Sequence, residues 1–286
     1  MKTKNNNLLG ISFMILSMFC LSVNDMTYKY LSFHFPVWES IFFRALSGSI
    51  IALFLAMYFG FDKLKTKKPI GHAIRAFSAS GCVVFYIYGI NNLMLSENIA
   101  IAHSAPIIAA FLAVPILGER IGILRTSAIL IGFIGVLIIV KPGTDLFKLE
   151  SLYPLISACF MASVYLSTRS VMSTDSSVAI IFYYSFALLI TSLIFFPSDF
   201  IMPNLTQLTF AMSLGVMGSI GHFFMSQAAK NADVAVTSPF EYSSFIFVGL
   251  MGFLIFAEVP TYSIYLGGFI IISSGIFIAY RERKNN

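Results

Sequence analysis

Of the 286 residues, 58% are hydrophobic and only 11% charged, against about 25% charged in a soluble domain. A chain this apolar cannot present a water-soluble surface, which excludes a soluble enzyme or binding module and makes lipid its solvent. The net charge of +5 is dispersed over many short segments and forms no basic stripe of the kind that grips nucleic acid, so no nucleic-acid partner is expected.

The chain opens with Lys2 and Lys4 ahead of a long apolar run. A signal peptide starts the same way, but Asn24 and Asp25 stand at the far end of the run and no small-residue cleavage site follows. The run predicts an uncleaved first helix. Further apolar blocks follow without polar alternation. Lipid-exposed backbone must close its hydrogen bonds within a helix or a closed barrel, and unbroken apolar runs of roughly 20 residues favour helices. The predicted spans are 8–30, 37–59, 70–92, 98–118, 123–140, 150–169, 178–196, 208–229, 234–257 and 262–280. The expected fold is thus an all-α membrane protein of ten transmembrane helices. The longest connections, 60–69 and 197–207, are too short to fold as domains, so any ligand must bind among the helices.

Lys and Arg collect in short cytoplasmic loops. With the N-terminus placed inside, fourteen of the eighteen Lys and Arg residues fall on that side, Lys141 and Lys148 fall outside, and Lys29 and Arg44 lie within helices. The bias predicts an inner-membrane, multi-pass chain with both termini cytoplasmic. Cys20, Cys82 and Cys159 sit at wide spacing within apolar spans, a pattern that suits small core side chains rather than a disulfide framework or a zinc cluster. No metal and no cofactor are expected.

The chain repeats itself. Residues 96–143 and 230–283 share an order: a small-residue entry, a proline (Pro106, Pro239), an apolar run ending in glutamate (Glu119, Glu258) and a glycine-containing last helix. Glu119 and Glu258 are 139 apart, Gly135 and Gly275 are 140 apart, and the prolines, 133 apart, align less strictly. Two halves, 1–143 and 144–286, each with five helices, must cross the membrane in opposite senses because five is odd. This arrangement is an inverted repeat, in which a substrate site is expected near the midplane where the halves meet. It predicts Glu119 inside and Glu258 outside, both as structural groups at the membrane edge.

Several segments carry a resemblance: Trp38–Arg44, Arg75, Ser96–Glu97–Asn98 through Pro106 to Glu119–Arg120, Gly132–Val136, Lys141–Pro142–Gly143, and Ser238–Tyr242 through Ala257–Glu258–Val259–Pro260. In this order and spacing they resemble the drug/metabolite transporter superfamily, EamA branch, over essentially the whole chain. The resemblance implies ten helices, an inverted repeat of five, and secondary transport of a small organic solute. Val23–Leu31, with Phe42–Arg44 and His72–Arg75, is similar to S-adenosylmethionine uptake carriers of intracellular bacteria, which implies uptake of that metabolite, with exchange as an open mode. The PFEY segment, residues 239–242, is similar to riboflavin and other EamA carriers, so riboflavin or an amino acid stays open as cargo.

Ionisable residues within spans are costly and face a cavity or a partner. Asp25 and Lys29 lie four apart on one face. They read either as a local ion pair or, with Asn24, as part of a substrate path. Arg44 has the planar fork that suits a carboxylate, and it suits headgroups and helix ends as well. Glu241 is the first candidate substrate ligand, because Pro239 frees backbone groups beside it. His103, three before Pro106, His222, Tyr86, Tyr88, Tyr165, Tyr183, Tyr184 and Tyr242 complete the candidates, the tyrosines as stacking walls for a flat ring. Gly218-Ser219-Ile220-Gly221 predicts close helix approach. The chain has no phosphate loop, HExxH zinc motif or GxSxG elbow, so a membrane enzyme is disfavoured and direct ATP drive is not expected. No selectivity-filter pattern marks a channel. Monomer and homodimer are both open.

Overall fold

The computed structural model describes residues 7–117, 123–144, 147–172, 175–198, 200–232 and 234–285. Helices account for nearly all of them: α1 Asn7–Ser32, α2 Val37–Phe59, α3 Pro69–Asn92, α4 Leu95–Ala102, α5 Ala105–Leu117, α6 Ile123–Val140, α7 Leu152–Met172, α8 Ser177–Ile194, α9 Leu205–Asn231, α10 Val234–Thr237, α11 Ser243–Phe256 and α12 Tyr262–Asn285. Short 3-10 turns cover Phe61–Leu64, Leu149–Ser151 and Ser238–Tyr242. Seven of the described segments are long and apolar enough to cross a bilayer, and Thr126–Val140, Val178–Ile194 and Tyr262–Ile278 are shorter apolar helices. Each of the ten predicted segments coincides with one helix or with a broken pair of helices.

Local chemistry sets the ends. Pro36 stands just ahead of α2, and Gly60, at φ 92°, closes it in a backbone region open to glycine. Asn204 accepts from the Gln207 amide (2.9 Å) while Gln207 Oε1 accepts from the Asn204 amide (3.0 Å), a reciprocal cap at the start of α9. Two segments break. The first turns at His103–Ser104 between α4 and α5, just ahead of Pro106; the second tightens to a 3-10 turn at Ser238–Tyr242, which holds Pro239. Proline disfavours helical backbone at the residue before it and removes a donor.

The radial distribution is the reverse of a soluble protein's. Phe54, Phe77, Leu254 and Phe269 are more than half exposed, whereas Ser17, Ser47, Ser104, Ser157, Ser192 and Ser274 are buried. Lipid solvates large apolar groups as well as a core does, so small polar residues are drawn to the helix contacts. Gly135 meets the Gly267 carbonyl where α6 crosses α12, and Gly221 meets Leu21 where α9 crosses α1, so the close approach read from Gly218–Gly221 is present.

Packing follows the repeat. Helix α1 packs on α9 as α7 packs on α3; α2 on α9 as α8 on α3; α1 on α11 as α7 on α5; and the pairs α2–α8 and α6–α12 join like to like. The agreement extends to single bonds. Ser17 Oγ donates to the Gly221 carbonyl (2.8 Å) and Ser157 Oγ to the Cys82 carbonyl (2.9 Å). The two serines stand at the offset that separates Gly135 from Gly275, and the two acceptors at the offset that separates Glu119 from Glu258. Nearly all the extensive helix contacts join one half of the chain to the other.

Candidate functional site

Polar groups from both halves converge midway along the helices. Tyr86 of α3 donates its phenol to Asp25 Oδ2 of α1 (2.8 Å). Arg44 of α2 reaches Tyr28 (3.3 Å) and Tyr184 of α8 (3.5 Å), and its guanidinium lies 5.7 Å from the centre of the Tyr28 ring. Arg44 is also within electrostatic reach of Asp25. His103 packs against the Tyr242 ring (5.0 Å) and its Nε2 lies 3.1 Å from Ser244 Oγ. Tyr165 of α7 is within reach of Glu241, Tyr242 and Cys82, and His222 of α9 within reach of Arg44 and Arg75.

Most of these groups are only partly buried. Tyr165 is 38% exposed and His222 is exposed as well, and both lie within electrostatic reach of charged or phenolic groups of other helices. Asp25, Arg44, Cys82, Tyr86, His103, Glu241 and Tyr242 are all half-buried. The Glu241 carboxylate makes no hydrogen bond or ion pair to any described residue; its backbone carbonyl accepts from Ser244 Oγ (2.8 Å). Four other described carboxylates behave differently. Glu258 holds Lys29, Glu97 holds Lys148, Glu39 holds the Ile201 amide and Asp175 holds His72.

The repeat aligns the chamber residues. Asp25 and Tyr165, and Arg44 and Tyr184, are each 140 apart; His103 and Tyr242 are 139 apart. Arg44 bonds to Tyr184, and His103 packs on Tyr242.

Some sequence expectations change. Lys29 does not pair with Asp25. Its Nζ lies 3.2 Å from Glu258 Oε1 and donates to the carbonyls of Ile90 (3.0 Å) and Leu93 (2.6 Å), while Glu258 Oε2 accepts from the Leu95 amide (2.7 Å). The α3–α4 corner outcompetes Asp25 because it offers Lys29 two carbonyls and a carboxylate, and it leaves Asp25 to the chamber. Glu258 is thereby structural, as expected; Glu119 lies outside the described residues. Asn24, 2% exposed, spends its amide on the Leu214 carbonyl (2.6 Å), a tie between α1 and α9 rather than a chamber group. Tyr183 leaves the chamber for the Leu64 carbonyl (2.9 Å). Cys82 is half-buried, with its Sγ 3.4 Å from Ser157 Oγ. A groove of about 310 Å³ between α6 and α12, lined by Leu124, Ser127, Ala128, Ile131, Ser273, Ser274 and Phe277, holds none of the charged groups.

Among membrane-length helices the structure thus holds the half-buried guanidinium of Arg44 and two half-buried carboxylates, Asp25 and Glu241. The chain belongs to the EamA-like transporter family, which matches residues 8–141 and again residues 149–280. It is 30% identical over 276 residues to the S-adenosylmethionine uptake transporter of Rickettsia prowazekii (strain Madrid E), covering 96% of this chain and 94% of that one. It is 30% identical over 227 residues to the riboflavin transporter of Vibrio cholerae serotype O1 (strain ATCC 39315 / El Tor Inaba N16961), covering 79% of this chain and 76% of the relative. A solved crystal structure superposes with a TM-score of 0.62 over 98% of both chains at 16% identity, which speaks to the fold alone. The chain is a metabolite transporter, not an enzyme.

Proposed function

We propose that this protein takes up S-adenosylmethionine across the bacterial inner membrane. Ten spans form two inverted repeats, 1–143 and 144–286, with both termini cytoplasmic. The like-to-like helix pairing, the matched bonds of Ser17 and Ser157, and the collection of Lys and Arg on one side support this layout.

The observation that carries the substrate is the charge pattern of the chamber. Asp25, Arg44 and Glu241 present two anions and one cation to one space. S-adenosylmethionine presents the complement, an ammonium and a sulfonium against one carboxylate. The Arg44 fork suits the carboxylate, Asp25 suits the ammonium beside it, and the tyrosines suit the flat purine. The name shared by the Rickettsia relative agrees with this reading.

Uptake by purified protein in liposomes tests it. Labelled S-adenosylmethionine is expected to accumulate, by exchange or down its gradient, and Arg44→Lys to raise KM about tenfold or more, since a point charge does not replace a fork that reaches two phenols. Liposomes that move riboflavin or an amino acid while ignoring S-adenosylmethionine reject the assignment.

A further inference from the structure

Helix α9 carries three glycines at intervals of three residues, Gly215, Gly218 and Gly221. Packing requires two of them. A Cβ at Gly215 would lie 2.6 Å from the Gly48 nitrogen and 2.9 Å from the Arg44 carbonyl, where α2 crosses, and one at Gly221 would lie 2.8 Å from Leu21 of α1. Packing does not require the third. A Cβ at Gly218 would come no closer than 3.8 Å to any described residue outside its own helix, an ordinary van der Waals contact. Glycine in a helix interior is less stable than alanine, so helix contacts alone do not account for Gly218. In the first half, Ala79 stands at the matching position, by the offset that relates Cys82 to Gly221. The repeat therefore accommodates a methyl group there.

What Gly218 leaves open is the space beside a charge. The two atoms at 3.8 Å are Arg44 Nη2 and Asn24 Nδ2. Gly218 is buried, so the gap is interior. Gly48 and Gly249, the other described helical glycines with room for a methyl group, are only partly buried and have no charged group within 4 Å. Both walls of the gap are held in place, Asn24 by its 2.6 Å bond to the Leu214 carbonyl and Arg44 by Tyr28 and Tyr184. The guanidinium is itself under-supplied. It has five N–H donors, yet its two hydrogen bonds are 3.3 and 3.5 Å long and no carboxylate of a described residue forms an ion pair with it. A half-buried cation without a bonded anion is costly, and the gap at Gly218 gives an anion access to it.

We propose that Gly218 determines specificity by leaving room at the Nη2 edge of Arg44 for the carboxylate of the substrate. This rests on the S-adenosylmethionine reading and deepens it, by naming the residue that admits the carboxylate to its guanidinium. A methyl group 3.8 Å from Nη2 leaves no place between the two for an oxygen about 2.9 Å from the nitrogen, the length of a charge-assisted bond. Gly218→Ala is thus a substitution that the fold accepts and the substrate does not.

The test is thermal melting and ligand binding of the purified full-length protein, with S-adenosylmethionine and its decarboxylated analogue as the ligands. Wild type is expected to prefer the acid. Gly218→Ala is expected to melt at or slightly above the wild-type temperature and to lose about tenfold or more in affinity for S-adenosylmethionine, the worth of a hydrogen bond to a charged group. Its affinity for the analogue, which brings no carboxylate to the gap, is expected to stay close to that of wild type. Gly215→Ala, whose methyl group meets backbone, is expected to lower the melting temperature instead. Unchanged affinity of Gly218→Ala for S-adenosylmethionine, an equal loss for both ligands, or a melting temperature that falls as far as that of Gly215→Ala would overturn the role of Gly218 and leave the S-adenosylmethionine reading standing. If wild type does not bind S-adenosylmethionine, that reading falls and the role of Gly218 with it.

Discussion

Ser17 and Ser157, which occupy matching positions in the two halves, make the same bond on opposite sides of the bundle, each giving its hydroxyl to a backbone carbonyl of the helix beside it, Gly221 in one case and Cys82 in the other. Both serines are essentially buried, at 0% and 1% exposure. Hydrogen bonds between membrane helices are worth about 0.6 kcal/mol on average. Ser17→Ala and Ser157→Ala are therefore expected to lower stability by similar small amounts. The double variant should lose their sum, about 1 kcal/mol, because the sites share no partner. Thermal melting of the three variants in detergent is the check. Strong non-additivity would mean that the two contacts belong to one unit rather than to two copies of a motif.

A larger effect is expected at the α3–α4 corner. Ala257 adopts a left-handed conformation (φ 54°) at the end of α11, and the Glu258 amide turns back to the Gly252 carbonyl (3.0 Å), which aims the carboxylate at Lys29 and the Leu95 amide. Both side chains of the ion pair are 11% exposed. Lys29→Met leaves a buried carboxylate unpaired, at a cost of about 3–5 kcal/mol. Adding Glu258→Gln removes that charge while keeping an acceptor for Leu95. The double variant is expected to recover most of the loss, and a double variant as unstable as Lys29→Met would show that Lys29 acts through its carbonyl bonds instead.

The sequence exposes those features that lipid and local chemistry impose one segment at a time. All the predicted spans coincide with helices or broken helices, because an apolar run long enough to cross has few other ways to satisfy its backbone. Pro106 and Pro239 mark the two breaks for the same local reason. Partner choice was not legible. The i,i+4 spacing of Asp25 and Lys29 says that they share a face, but Glu258, far along the chain in the other half, supplies the better anion. Arg44 offered three readings, and only the fold brings Tyr184 to it. The repeat did hold an unused signal: the offset already visible in Gly135 and Gly275 carries Arg44 to Tyr184, which it meets in the structure, and Asp25 to Tyr165.

The same offset picks out glycines that differ in what a methyl group would cost. A side chain at Gly135 would meet the Gly267 carbonyl at 2.9 Å, and one at Gly267 would meet the Gly135 carbonyl at 2.6 Å, backbone against backbone where α6 crosses α12. Gly249 has nothing within 4 Å. Gly135→Ala and Gly267→Ala are expected to destabilise by about 1–3 kcal/mol as the helices are forced apart. Gly249→Ala is expected to stabilise by up to about 1 kcal/mol, the helix propensity gained. Melting temperatures that fall equally for all three would assign the effect to glycine content rather than to the crossing.

At the other end of α3 the halves are tied by Asp175, in the connection between α7 and α8. It accepts from Thr66, from the Lys67 amide (3.3 Å) and lies 2.9 Å from His72 Nε2. Ser176 adds a bond to the Lys63 carbonyl (2.6 Å), and Tyr183 packs on the His72 ring at 4.8 Å. The His72 and Asp175 side chains are 5% and 1% exposed. Lys29 grips the carbonyl of Ile90, five turns further along α3 than His72, so the two ties stand about 27 Å apart, with the chamber between them. The tie at Asp175 spans the end of the bundle that carries the 60–69 connection, and it is expected to bar entry from that side. Asp175→Ala removes the acceptor shared by three donors. In a background with Cys20 and Cys159 replaced by serine, Cys82 reports on the chamber. A membrane-impermeant maleimide added on the side of the 60–69 connection is expected to label Cys82 several-fold faster in the Asp175→Ala variant than in its parent, with no gain from the opposite side. Equal gains from both sides would mean that the substitution loosens the bundle as a whole, and no gain from either would mean that the tie does not bar the way.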